Sequence, residues 1–513
     1  MNSGHRPAST SLRGPSSLKF FAPQIALSPM VTSQNNDPPR LPQELFDLIV
    51  DEVARLKPVL DSRAALRACA LVSRSFSHHS RKHLWGDLVF CMDASYRKRA
   101  TELIHMLRRK DNTYLVSHVR SIQLVFDTSP SGDEKRYQHT KGILKTAIKR
   151  TFRRYFKPRC GVLDVLQKIN NPNFEHFSVI SRGRASPVHW TQDKFSKVMK
   201  PSLLQVLSSN SNIKCFALCN IGSISKQLAA AAFFSPAMED LTMRNLQFGR
   251  DQFVTLVVER PRVLVDLRRL EMINVPISPL LSFILELVPH SRSSNSVSSS
   301  NFTSDMELYP LFPRLQTLVV SVPHSEDMYM LWRFVLGGAS SLENLEMEYH
   351  HRRYGIPELG HLSLGRLTAL RNFKFRTVSP DVVVWVEASQ RVLLNIFTFP
   401  CFSARLKSIE LQFLFSAAWD SGDYTGGKPL ERLQQAAHWS TIDNLFVSDH
   451  FCNLELLKLS VEVRHNLDKS NVHHIPAEEM MAAALIILPR VTKNPRIQVI
   501  LDGRIVFRPN PTV

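Results

Sequence analysis

A short apolar triad recurs along this chain and sets what it can fold into. After residue 115, an apolar residue is followed by a second three positions on and a third two positions after that, in ten places. The first are Val119/Ile122/Leu124, Phe174/Phe177/Val179, Ile213/Phe216/Leu218 and Met238/Leu241/Met243. Leu267/Leu270/Met272, Leu315/Leu318/Val320 and Leu342/Leu345/Met347 follow. The last are Leu370/Phe373/Phe375, Leu406/Ile409/Leu411 and Leu454/Leu457/Leu459. The second and third members lie two apart and so face one side of a β-strand, with the first in the turn that leads in. Several copies are spaced by about 25–29 residues. Segments of helical pattern fit between them, as at 280–288 and 430–438. A strand-then-helix unit cannot bury its own apolar face and must stack on its neighbours. The triads therefore predict a parallel sheet built unit by unit into a curved solenoid.

Asn220, Asn245 and Asn274 each follow the first apolar residue of their unit by seven positions. An Asn leaving a strand can bond free backbone groups of the turn and of the next coil. Triad and spacing resemble a leucine-rich repeat, although that family places its Asn or Cys slightly later. The expected fold class is α+β, a small helical domain followed by an irregular α/β leucine-rich-repeat-like solenoid over 115–505. An unclassified α/β domain is the competing reading. Insertions are expected near 128–160 and 290–306. The first contains KGILKTAIKRTFRRYFKPR. Its amphipathic basic stretch at 141–157 suits an anionic membrane, an acidic groove, nuclear import or packing on the convex side of the solenoid. The second is Ser-rich and expected to be a flexible loop.

Residues 41–85 read LPQELFDLIVDEVARLKPVLDSRAALRACALVSRSFSHHSRKHLW. Pro42 suits a first helical turn, because its missing N–H is not needed there. Glu44 and Asp47 lie where negative charge favours the helix dipole. Leu45, Leu48, Ile49 and Val53 recur at helical spacing. Pro58 is expected to end this helix, and Asp61 or Ser62 to cap a second through Leu66, Cys69, Ala70 and Val72. The ordered set Leu41-Pro42, Glu44-Leu45, Ile49, Cys69-Ala70-Leu71-Val72-Ser73-Arg74 and Phe76 is similar to an F-box. The stretch departs from that family in having Phe76 where Trp is frequent and a long linker at 57–62. On this resemblance 41–88 is the F-box. Residues 1–40, rich in Ser, Pro and Asn and without a periodic apolar face, are expected to be a disordered tail.

The formal net charge of +19 favours anionic partners without naming one. The seven scattered cysteines include no CxxC, and reduced thiols in the cytoplasm or nucleus are expected. The longest apolar runs, such as 484–489, fall short of the about 20 residues that span a bilayer. No Walker loop, G-x-S-x-G, H-E-x-x-H or catalytic-cysteine signature occurs, so no catalytic site, metal or cofactor is expected. The histidine pairs His78-His79, His350-His351 and His473-His474 are read as surface or turn residues, since adjacent side chains project apart.

The F-box resemblance implies a non-catalytic substrate receptor of an SCF-type cullin–RING ubiquitin ligase. Its docking residues for a Skp-type adaptor, itself bound to a cullin, would be Leu41, Pro42, Leu45, Ile49, Leu71, Val72 and Phe76, with Trp85 packing the far end. The repeats would then hold the substrate protein. A basic chain favours an acidic or phosphorylated segment, with Arg244, Arg268 and Arg269 as candidate contacts. The alternative is a repeat scaffold outside any ligase, membrane-associated through 141–157. Specific nucleic-acid binding has no motif behind it.

Overall fold

The computed structural model describes residues 42–56, 59–91, 96–109, 112–127, 173–182, 188–189, 203–208, 210, 212–222, 224–248, 266–287, 312–322, 327, 330–331, 340–350, 367–379, 383–397, 405–417, 427–466 and 472–508. The tail at 1–40, Leu41, the basic stretch 141–157 and both expected insertions lie outside them.

Within these residues the protein is α+β. Three helices come first: α1 (Gln43–Arg55), α2 (Val59–Val72) and α3 (Arg74–Gly86). Pro42 stands just outside α1 with an extended ψ of 143°, not inside its first turn. α2 begins at Val59, so Asp61 and Ser62 are interior residues and not caps. Ser62 is buried there. Pro58 immediately precedes this second helix in sequence, and the first has already ended at Arg55. Ser73 does cap α3, its Oγ accepting from the Phe76 N–H at 3.4 Å.

α3 runs directly into a thirteen-stranded sheet. Its strands are β1 (Asp87–Cys91), β2 (Ser121–Asp127), β3 (His176–Arg182), β5 (Cys215–Cys219), β7 (Asp240–Arg244), β8 (Arg269–Ile273), β9 (Thr317–Val322), β10 (Asn344–His350), β11 (Asn372–Ser379), β12 (Ser408–Ala417), β13 (Leu456–Asn466), β14 (Val472–His474) and β15 (Gln498–Arg508). The short β4 (Val188–His189) and β6 (Ile221–Gly222) pair with each other. Main-sheet neighbours follow chain order and are parallel, except that β15 lies between β13 and antiparallel β14.

Every residue of the ten triads is buried. The second and third members point from the strand into one core, and the first closes the turn before it. Each turn is tied to the last by backbone bonds: Glu175 N–H donates to Arg120 O, Lys214 to Glu175, Glu239 to Lys214 and Arg268 to Glu239, each at 2.8–2.9 Å. The bonding starts earlier than the ten triads, with Arg120 N–H donating to Gly86 O at 2.9 Å. Trp85/Leu88/Phe90 is thus an eleventh copy of the spacing, leading into β1. The sheet begins at Asp87 and not after 115, and no linker separates it from α3.

Helices between strands cover the core face, among them Ile277–Leu287, Val383–Phe397 and Trp439–Phe446. At the far end Ala477–Ile487 packs over β15. Gly503 permits this approach, because a Cβ there would lie 2.8 Å from both Ile475 Cβ and Met480 Sδ.

Asn220, Asn245 and Asn274 share the left-handed backbone region, with φ of 59°, 50° and 52°. Asn tolerates it better than other side-chain-bearing residues. Their amides form a ladder. Asn274 Nδ2 donates to Asn245 Oδ1 and Asn245 Nδ2 to Asn220 Oδ1, both at 2.7 Å, and Asn220 Nδ2 to the Ser181 carbonyl at 2.9 Å.

Candidate functional site

α1 is apolar on two sides. Phe46 and Val50 face inward, Val50 wholly buried and Phe46 edge-on to Phe76 with ring centroids 4.9 Å apart. Leu45, Leu48 and Ile49 form a second stripe at helical spacing, and all three are exposed. Leu56 extends it past the helix end. Leu71 and Val72, at the end of α2, are 87% and 72% exposed. One large aliphatic side chain in water is ordinary; six within thirty residues of a folded unit make an unusual surface.

Of the docking residues read from the sequence, Pro42, Leu45, Ile49, Leu71 and Val72 are exposed, and Leu41 lies outside the described residues. Phe76 is half-buried against Phe46, a support for the unit and not a free anchor. Trp85 packs on the core of the sheet. Leu48 shares the apolar stripe of Leu45 and Ile49, and neither it nor Leu56 is among the docking residues the sequence offers. Sequence periodicity shows which side chains share a face, but not which of two apolar faces a neighbour covers.

Arg244, Arg268 and Arg269 come together at the β7–β8 step, but each already faces a carboxylate. Arg244 Nε donates to Glu271, whose side chain is only 3% exposed. Arg269 lies 3.4 Å from Glu271 and 3.9 Å from Asp240, and Arg268 lies 3.7 Å from Glu239. The bond to Glu271 holds Arg244 above its ordinary pKa. The open face of the sheet repeats this self-pairing, Lys374 with Glu346 at 3.2 Å, Lys458 with Glu410 at 3.2 Å and Arg376 with Glu348 at 2.9 Å. Each of the cations named here thus faces a carboxylate of the chain itself.

A third cluster lies between α1 and α3. His79 Nε2 and His83 Nε2 approach the same oxygen, Asp51 Oδ1, at 2.7 and 2.6 Å. The two imidazole bonds, that of His79 first, hold the Asp51 carboxyl below its ordinary value. His79 does not act with its neighbour His78; its partner is His83, one helical turn on, with the rings 5.1 Å apart. The signal in the sequence for this cluster is the i, i+4 spacing of His79 with His83 and of Asp47 with Asp51, and not the adjacency of His78 and His79. Among the described residues, these three side chains form the one group that could hold a metal ion.

The five described cysteines are free thiols. Burial, first among several causes, pushes the Cys215 thiol up to about 11, which keeps it protonated and unreactive at neutral pH. Among the described residues no helix is long and apolar enough to cross a membrane. No protein-family model matches the chain, and no curated protein is detectably similar to it.

Proposed function

We propose that this chain is the substrate-recognition subunit of an SCF-type cullin–RING E3 ubiquitin ligase, and that it has no catalytic chemistry of its own. The observation that carries the reading is the exposed apolar surface of Pro42, Leu45, Leu48, Ile49, Leu71 and Val72 on a three-helix unit resembling an F-box. In this reading those side chains enter a groove of the Skp-type adaptor, and a few of them dominate the affinity. The sheet is then an irregular leucine-rich-repeat-like solenoid, supported by its sequential parallel strands and the asparagine ladder. It holds a substrate protein near the charged conjugating enzyme, contributing effective concentration. The substrate segment is acidic or phosphorylated and competes with Glu239, Asp240 and Glu271 for Arg244, Arg268 and Arg269. Such binding weakens as salt is raised. The place of action is the cytoplasm or nucleus.

The test is co-purification of the full chain with a Skp-type adaptor and a cullin, beside a variant carrying Leu45→Ala, Ile49→Ala and Leu71→Ala. Leu71 is almost fully exposed while Leu45 and Ile49 are about half covered, so melts of both chains are compared to show that the variant is folded. Recovery of both partners with the intact chain and loss with the variant supports the reading. Equal recovery with both chains, or none with either, removes it.

A further inference from the structure

We propose that Asp51, His79 and His83 are a zinc site that staples α1 to α3. One ligand atom from each, a carboxylate oxygen and two imidazole nitrogens, lies within 4.8 Å of the others. Two imidazoles and a carboxylate form a donor set that zinc takes readily, with bonds of about 2.0–2.2 Å. Ligand atoms around a tetrahedral ion of that size stand about 3.3 Å apart. The present contacts of 2.6 and 2.7 Å need only open by well under an ångström, a change within reach of side-chain torsions.

A second, independent feature points the same way. A metal-bound histidine usually gives its other ring N–H to a carboxylate, which fixes the ring and its tautomer. Asp47 Oδ1 stands 3.6 Å from His79 Nδ1, on the side away from Asp51. Asp47 is itself held, because Gln43 Nε2 donates to its Oδ1 at 2.9 Å and also to the Ser75 carbonyl at 2.9 Å. Gln43 therefore ties Asp47 to the start of α3. His79 is largely shielded, while Asp51 and His83 retain partial access to solvent, which leaves an entry path and room for a water as fourth ligand.

Without metal, the anionic Asp51 oxygen accepts both Nε2–H groups. Zinc takes the same oxygen and the two Nε2 lone pairs, the displaced Nε2 protons passing to water as Nδ1 is protonated from it. Each neutral imidazole then carries its proton on Nδ1, and that of His79 faces Asp47. Nothing is oxidised or reduced. The site is separate from the exposed apolar face, and its failure would leave the ligase reading standing.

The experiment uses the purified full chain, stripped with chelator and titrated with Zn²⁺ by calorimetry and with Co²⁺ by visible absorption. The intact chain should take up a metal ion with the spectrum of tetrahedral cobalt bound by nitrogen and oxygen, and zinc should raise its melting temperature. The His79→Gln/His83→Gln variant should lose both effects. Asp47→Asn should weaken binding about 10–100-fold without abolishing it. Comparing melts in chelator guards against a variant that merely unfolds, and the spectrum of the intact chain is a test needing no variant. A sulfur-to-cobalt band, uptake unchanged in the double variant, or no uptake by the intact chain would overturn the proposal.

Discussion

α1 and β10 both carry apolar residues at the period of their element and use them in opposite ways. β10 sends Leu345, Met347 and Tyr349 into the core and lines its other face with Glu346 and Glu348, each paired to a cation of β11. α1 buries Val50 but leaves Leu45, Leu48 and Ile49 in water. β10 and its neighbours satisfy their apolar and charged groups strand against strand, whereas the ends of the sheet leave Val89 and Ile500 exposed, and Met481, Leu485 and Ile486 are exposed on the last long helix. The helical unit is saturated between its helices and unsatisfied on its outer side. That contrast places exposed apolar surface on α1 and none on β10, and it can be tested from both ends.

The largest effect should come from the core of the array. Phe397 is buried with its ring edge-on to Phe373, Phe446 and Phe451, at centroid distances of 5.4, 5.5 and 5.6 Å. Phe397→Ala removes the centre of that cluster and should cost about 3–5 kcal/mol. Urea denaturation measures it. A cost like that of an exposed residue would mean that the core is not close-packed there.

Tyr349 gives a pH-dependent test of the same region. Burial raises its phenol to about 12 from an ordinary 10.0. The unfolded chain then loses this proton before the folded one, so stability is complete below pH about 10 and falls as pH rises toward about 12. Two pKa units correspond to about 2–3 kcal/mol. Tyr349→Phe should lack this part of the alkaline loss, and equal curves for both chains would contradict the burial of the phenol.

Asn245 comes next. Asn245→Ala places an ordinary side chain at φ 50° and removes two ladder bonds, which together should cost about 2 kcal/mol. Asn245→Gly keeps the backbone relaxed and loses only the bonds, so it should cost roughly half as much. If Gly and Ala behaved alike, the strain would not contribute.

The triads made the sheet legible because each carries its own strand, turn and burial in six residues. The asparagine phase was legible for the same reason, being a fixed offset within a unit. β1 was missed although Trp85/Leu88/Phe90 keeps the spacing, because the helical segment before it claimed Trp85. β15 lacks the triad, because its apolar residues fall in two contiguous runs, 499–501 and 505–507. The ion pair of Arg244 with Glu271 depends on strand register, and the meeting of Asp51 with His79 on the crossing of two helices 28 positions apart. The pairs on the sheet recur about one unit apart, but which charges meet is decided by register, and the meeting of Asp51 with His79 has no period behind it. The two-sided apolar character of α1 was visible in sequence, but which side is covered is decided by α2 and α3.

The smallest stability change should accompany the largest change in association. Leu71 is 87% exposed, so Leu71→Ala removes almost no buried area. It should alter unfolding free energy by less than about 0.5 kcal/mol, as surface substitutions usually do. If Leu71 enters an adaptor groove, the same truncation forfeits the transfer of a side chain worth about 1.5–3 kcal/mol on full burial, roughly a tenfold or greater loss of affinity. Calorimetric titration of Skp-type adaptor against both chains, beside their melts, measures the two quantities together. An unchanged melt with weakened binding keeps the contrast between the regions. A large drop in melting temperature would instead mean that Leu71 is covered by the chain's own residues, and the outer side of the helical unit would no longer be the surface that awaits a partner.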